Sequence, residues 1–360
     1  MNARLDSVRQ RLDESGLDLL FVSQAENRRY LSGFTGSAGF LLVGPKTAIL
    51  ATDFRYLEQA AAEAPDFDLF RPEGDISRWF PVLASGFGPV KMGFESDSLS
   101  HAAFLQLQKG VAEFSFQLAP TNGLVEAIRA VKDAAELALI EQAVALADAA
   151  FADVVARLEV GWTELRLAWE LERYMREHGS GAMPFDIIVA AGPRSSLPHA
   201  QPSDRPIAAG EPIVIDMGAR VGGYCSDMTR TICLGAPDDT FKRIFDLVLG
   251  AQLTAEATVA AAMTGHQADA LARRVIAEGG HGDEFGHGLG HGIGLVTHEP
   301  PRLGLNSDHI LTDGMVFSIE PGVYLPGWGG VRIEDLVVLE NGRARALTRS
   351  PKTGDGRPRP

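Results

Sequence analysis

Residues 315–339 read MVFSIEPGVYLPGWGGVRIEDLVVL. An apolar run ends on Glu320, PGWGG turns the chain, and a second apolar run returns carrying Glu334. Two apolar runs joined by a glycine-rich turn predict a β-hairpin. A second stretch follows the same plan. In PIVIDMGARVGGYCSDMTRTICL (212–234), Asp216 and Asp227 lie on opposite arms of a glycine-containing turn. Hairpin arms run about 5 Å apart, so the two acids of each pair can converge. Four carboxylates gathered at one place repel one another unless cations neutralise them. This longer echo, in a chain without short-period repeats, points to metal.

Between the hairpins lies GHGLGHGIGLVTHEPP (286–301), with three histidines among glycines. The spacing of His287 and His291 would put both on one face of a helix, as in zinc helices. Glycine costs about 1 kcal/mol per residue inside a helix relative to alanine, so Gly288, Gly290, Gly292 and Gly294 rule that reading out. In an extended chain the two histidines share a face roughly 13 Å apart, at about 3.3 Å per residue. Metal–nitrogen bonds are only about 2.1 Å long. At most one of the two is then a ligand, and the remaining donors come from elsewhere. Four carboxylates and one imidazole suit manganese, cobalt or zinc better than copper or an iron–sulfur cluster. Because carboxylates bridge, five residues can hold two ions about 3.5–4 Å apart, which lower the pKa of a shared water.

At 360 residues the chain is long enough for two domains with cores of their own. Its 47 acidic and 33 basic residues give a formal charge of −14, which argues against nucleic acid or an anionic membrane as partner. The start, MNARLDSVRQRLDESG, lacks the apolar segment of a signal peptide. No apolar run approaches the roughly 20 residues of a membrane span. Two cysteines, Cys225 and Cys233, are too few for a disulfide framework or a cysteine-rich zinc site. A cytoplasmic location is expected.

The first ~120 residues alternate helical and strand patterns. Leu5, Val8 and Leu12 have helical spacing, with Gly16 as a stop. LDLLFV (17–22) reads as a buried strand, followed by a polar stretch and the turn-rich GFTGSAG (33–39). GFLLV (39–43) and TAILAT (47–52) read as paired strands. GFTGSAG has neither a Walker lysine nor dinucleotide spacing, so a phosphate role is set aside. Asp133 and Glu136 form a capping-box-like start to an alanine-rich helix reaching about Leu158, and a second amphipathic helix covers roughly 163–178. From 185 onward the pattern is strands and hairpins, with helical stretches near 238–264 and 267–278. The Pro- and Gly-rich tail SPKTGDGRPRP reads as frayed. The expected fold class is mixed α/β, with domains at 1–128 and 129–360.

With these residues in view, the chain resembles the metal-dependent pita-bread peptidases, and within them the proline-specific branch of aminopeptidase P and prolidase. The resemblance covers nearly the whole chain: a creatinase-like N-terminal domain followed by a pita-bread catalytic domain. It implies that Asp216 chelates one metal, His291 and Glu320 bind the other, and Asp227 and Glu334 bridge both. It further implies that Glu320, in SIEPG, handles the proton of the attacking water. His199, in LPHAQPSD, would line the substrate site. His298, in THEPP, would act on the scissile carbonyl, and His287 would shape the proline pocket. Arg332 and Tyr324 match positions facing the substrate or backing those that do. Arg302 falls where prolidases often bind the substrate's terminal carboxylate. Two divalent ions per chain follow, manganese first with cobalt or zinc as alternatives, and a homodimer is expected.

The other histidines, His101, His178, His266, His281 and His309, match nothing and read as solvated. Cys225 reads as core packing beside the site. Trp328, at the tip of its turn, reads as exposed or as reaching a neighbouring subunit. The activity implied is removal of the residue before a proline, whose tertiary amide offers no N–H to ordinary exopeptidases. The compact length and the YLSGFTGSAG segment make aminopeptidase P, acting on peptides that begin Xaa-Pro, the expected activity; Arg302 leans towards the dipeptide-specific prolidase, which is the alternative. A metal-free creatinase-like C–N hydrolase lacks the carboxylate set found here. A non-catalytic peptide-binding relative would be expected to have lost ligands.

Overall fold

The computed structural model describes residues 3–357, and the chain divides into two compact units, Met1–Arg129 and Ala130–Pro360. The first unit is built on one six-stranded sheet. Helix α1 (Ala3–Glu14) buries Leu5, Val8 and Leu12, as their spacing predicts, and the chain enters strand β1 (Leu19–Val22). After α2 (Ala25–Ser32) come β2 (Phe40–Val43) and β3 (Ala48–Ala51), paired antiparallel with Leu42 opposite Ile49. The sequence continues through α3 (Leu57–Glu63), β4 (Asp68–Phe70), α4 (Ile76–Ala84) and β5 (Val90–Glu95). It ends with α5 (His101–Gly110), β6 (Phe116–Thr121) and α6 (Glu126–Arg129). Strand order is β4-β3-β2-β1-β5-β6. Phe21 at its centre stacks on Phe40 with ring centroids 5.0 Å apart and meets Phe80 edge-on.

Helix α2 occupies the stretch whose polarity hides a helix. Its buried side chains mix Tyr30 and Leu31 with polar Asn27, Arg28 and Ser32. Asn27 donates to Glu95 at 2.7 Å, and Arg28 donates to the carbonyls of Gly36 and Gly39. The apolar stripe that normally betrays a helix is therefore interrupted by polar residues. Arg28 thus folds the glycine-rich loop onto α2, while the amide of Thr35 donates to Glu63.

In the second unit, Asp133 and Glu136 close a full capping box on α7 (Ala134–Ala156), and α8 (Glu164–Glu177) follows. These helices pack on a sheet of β7 (Ile188–Ala191), β8 (Pro212–Met217) and β11 (Met228–Cys233), ordered β11-β8-β7. The short strands β9 (Arg220–Val221) and β10 (Tyr224–Cys225) continue the β8–β11 hairpin to its turn. A second helix pair, α9 (Asp239–Thr258) and α10 (Gly265–Glu278), packs over another sheet. The helical stretch expected to reach 264 stops six residues earlier, because Thr264 serves as the N-cap of α10. This sheet contains β12 (Gly290–Gly292), β13 (Glu299–Leu303), β14 (Val316–Ile319), β17 (Asp335–Glu340) and β18 (Arg343–Ala346), in the order β13-β12-β14-β17-β18. Between β14 and β17 the chain makes the ribbon β15 (Gly322–Leu325) and β16 (Gly329–Arg332). The echo in sequence is thus an echo in structure, a helix pair and a sheet occurring twice.

Three expectations are corrected. The tail is held rather than frayed through residue 357, with residues 358–360 lying outside the described ones. Lys352 pairs with buried Asp335 and with Glu256, and the Cys233 amide donates to Gly354. Trp328 rests partly buried on the second core and donates to Asp238, the N-cap of α9. His281 is half-buried and hydrogen-bonds Arg243 at 2.7 Å.

Candidate active site

Strand register brings the four acids together. Asp216 sits opposite Thr229 on the β8–β11 ladder. Asp227 precedes Thr229 by two, so with a period of two it shares the face of Asp216. In the second hairpin Ile319 faces Asp335 and Gly322 faces Arg332, a single register that sets Glu320 opposite Glu334. The hairpins are stitched together where the Glu334 amide donates to Thr229 O and the Arg332 amide to the Thr231 hydroxyl. The Glu320 amide donates to Leu289 O, which draws the His-Gly strand alongside.

His291 Nε2 lies 3.3 Å from Glu320 Oε1 and 3.7 Å from Asp227 Oδ2. One ligand atom each from Asp227, His291 and Glu334 falls within a 4.8 Å cluster. Asp216 Oδ1 and Glu334 Oε1 are buried without a hydrogen-bond partner among the described residues. A buried, unpaired carboxylate oxygen is costly, and a cation at that position removes the cost. The second oxygens of both acids are held: Arg332 binds Asp216 at 2.6 Å, and Thr229 donates to Glu334 at 2.7 Å. The donor set therefore fits divalent metal.

The electrostatics agree. Burial, then the neighbouring acids, pushes Asp227 and Glu334 well above the ordinary carboxylate range. Burial also raises Asp216, partly offset by Arg332. For Glu320, burial is outweighed by the hydrogen bond and charge of His291, which hold it down to about 2. His291 is the mirror case: burial lowers it, but Glu320 above all carries it up to about 9. Burial lowers both His287 and His298, favouring neutral imidazole.

These groups open onto a cavity of about 670 Å³ lined by His199, His287, His298, Arg302, Arg332 and the four acids, with Phe185, Pro198 and Pro300. That volume is in the range of small-ligand sites. His298 is exposed, with its ring centroid 4.1 Å from that of His291. His287 is locked in place: one ring nitrogen meets Gly288 O at 2.8 Å and the other the Tyr324 hydroxyl at 2.9 Å. Because the Gly288 carbonyl can only accept, Nδ1 of the neutral ring carries the proton, and Tyr324 gives its own to Nε2. Tyr324 itself is buried and outside the cavity lining, backing His287 and Arg332 rather than lining the site with them.

The glycines of the His-Gly stretch are explained by close strand approach. A Cβ at Gly290 would collide with the Ser318 carbonyl and one at Gly292 with that of Pro300, while one at Gly288 would lie 2.6 Å from Leu303 O. Sequence reading missed Ser318, which donates to Glu320 and accepts from the His291 amide, and also Thr229. Each lies two residues from a ligand on its own strand, a spacing that could have flagged it. It also set His309 aside as solvated, although His309 lines the cavity.

Residues 4–131 match the creatinase/prolidase N-terminal domain and residues 138–341 match metallopeptidase family M24. The chain is 40% identical to the Xaa-Pro dipeptidase structure from Bacillus anthracis, with a TM-score of 0.93 over 98% of each chain. It is 36% identical to the X-Pro aminopeptidase structure from Thermotoga maritima, with a TM-score of 0.86 over 96% of this chain and 99% of that one. A Xaa-Pro dipeptidase of Pyrococcus horikoshii is 33% identical over 98% of both chains. The chain belongs to metallopeptidase family M24, metal-dependent hydrolases of the pita-bread fold, and carries the creatinase/prolidase N-terminal domain ahead of the catalytic one.

Proposed function

We propose that this protein is an Xaa-Pro dipeptidase, hydrolysing dipeptides whose second residue is proline. The observation that carries this reading is Arg302. It lines the cavity, and its guanidinium has no hydrogen-bond or ion-pair partner among the described residues. An unpaired guanidinium beside the reacting centre is suited to a terminal carboxylate, which it can bind through two parallel N–H donors. Likeness to the Xaa-Pro dipeptidases of B. anthracis and P. horikoshii supports the same choice.

In this reading Asp216, Asp227, His291, Glu320 and Glu334 would hold two divalent ions. Manganese is the first candidate and cobalt or zinc the alternatives. When bound, the ions would supply a water of lowered pKa and Lewis-acid polarisation of the scissile carbonyl. Glu320, ionised and steadied by Ser318, accepts a proton and delivers it to the leaving imino nitrogen. His298, kept neutral by burial and without a hydrogen bond among the described residues, donates to the carbonyl oxygen as negative charge grows on it. His199 lines the same wall and contacts the substrate. His287 has both nitrogens engaged, so it offers the proline ring a surface rather than a hydrogen bond. Arg332 fixes Asp216 and also holds the Tyr324 hydroxyl that meets His287, whose tautomer is set by the Gly288 carbonyl. A cytoplasmic homodimer completes the reading.

The alternative, an Xaa-Pro aminopeptidase acting on longer peptides, is favoured by the likeness to the T. maritima enzyme. Comparing Ala-Pro with Ala-Pro-Ala in the presence of manganese decides between them. The dipeptide should be the better substrate, and R302M should raise its KM about tenfold or more, as expected when a charged hydrogen bond is lost. Cleavage of the tripeptide alone would give the case to the aminopeptidase.

A further inference from the structure

β13 is the edge strand of its sheet, so the outward N–H of Arg302 needs a partner beyond the ladder. It finds one in His309: the Arg302 amide donates to His309 Nδ1 at 2.8 Å. The Arg302 carbonyl accepts from the Ser307 hydroxyl, and the His309 carbonyl accepts from the Gly265 amide. The loop carrying His309 is therefore pinned to Arg302 through both its N–H and its carbonyl.

The hydrogen bond has a chemical consequence. An imidazole whose Nδ1 accepts from a backbone amide carries its proton on Nε2. His309 is thus a fixed donor, and it lines the same cavity as Arg302. Nothing among the described residues accepts from Nε2. Two groups that only donate, one of them cationic and neither with an acidic partner among the described residues, line one cavity.

We propose that His309 is a specificity-determining residue: its Nε2–H joins the Arg302 guanidinium in binding the terminal carboxylate of the dipeptide. The proposal rests on the dipeptidase reading. It adds that discrimination between acid and amide, or between dipeptide and longer chain, depends on the tautomer that the Arg302 backbone imposes.

The test is the ratio of kcat/KM for Ala-Pro to that for Ala-Pro amide. Because both substrates are measured on the same sample, a change in folded fraction cancels. H309N can keep an acceptor for the Arg302 amide but lacks the Nε2 donor, and its ratio should fall about tenfold. H309Q carries an amide N–H near the Nε2 position and should retain more of the ratio than H309N. H309L lacks both groups and should match H309N, which covers the case of an asparagine variant that fails to accumulate. A wild-type ratio in H309N and H309L overturns the role of His309 and leaves the dipeptidase reading standing. A wild-type enzyme that does not distinguish the two substrates overturns both.

Discussion

At the scale of single residues, the three histidines of the His-Gly stretch separate into three jobs. His291 points at Glu320 and Asp227, His298 stands free beside it, and His287 is tied to Tyr324. H291A should therefore lose bound metal, measured as ions per chain after dialysis. H287A and H298A should keep their metal while kcat falls, by about 10²–10³ for H298A if its donor serves the developing oxyanion. Equal metal loss in all three would refute this division. The candidate acids could be singled out in the sequence because two hairpins carry them at matching places, and the register of those hairpins draws them together. Thr229, Ser318 and His309 could not. A hydroxyl on a strand looks the same whether it holds a carboxylate or faces solvent, and His309 gains its meaning only from an edge N–H that no periodicity displays.

At the scale of elements, the packing of β12 sets the tolerance of the stretch. G290A and G292A each drive a Cβ into a neighbouring carbonyl, and backbone cannot swing aside as a side chain can. Each should destabilise by about 1–3 kcal/mol, typical of overpacking, seen as a lower melting temperature. G286A, with open space around its Cβ position, is the control and should leave the melting temperature nearly unchanged. Similar losses in all three would point to chain stiffness rather than collision. Helix α7 was readable to its capping box, since local hydrogen bonds leave a local signature. Helix α2 was not, because Asn27 is stabilised by Glu95, far along the chain, and Arg28 by carbonyls of the loop that follows the helix. The tail failed for the same reason: Lys352 looks solvated until buried Asp335 is placed beside it.

At the scale of the whole molecule, the acid cluster links stability to pH and metal. Asp227 and Glu334 are raised in the folded chain, so without metal they favour folding below the ordinary carboxylate range and oppose it as pH rises. Glu320, lowered to about 2, adds stability that is lost as pH falls towards that value. His291, raised to about 9, adds stability below 6.5 that is lost as pH climbs through 9. Metal-free protein should therefore melt at progressively lower temperature from about pH 7 to 9. Manganese should raise the melting temperature by more at the upper end, because ions replace protons on these groups. A metal-free melting temperature that stays flat over this range and ignores manganese would disprove the linkage. There is a further consequence of drawing two acids from each hairpin. Neither hairpin alone holds the set, and the contacts that unite them, Glu334 N–H to Thr229 O among them, join strands far apart in the chain. Such distant pairings form late in folding, after loop closure has been overcome. A nascent or partly opened chain then has carboxylates but no site, so captured metal marks a finished molecule and can be followed as a clock for the last step of assembly.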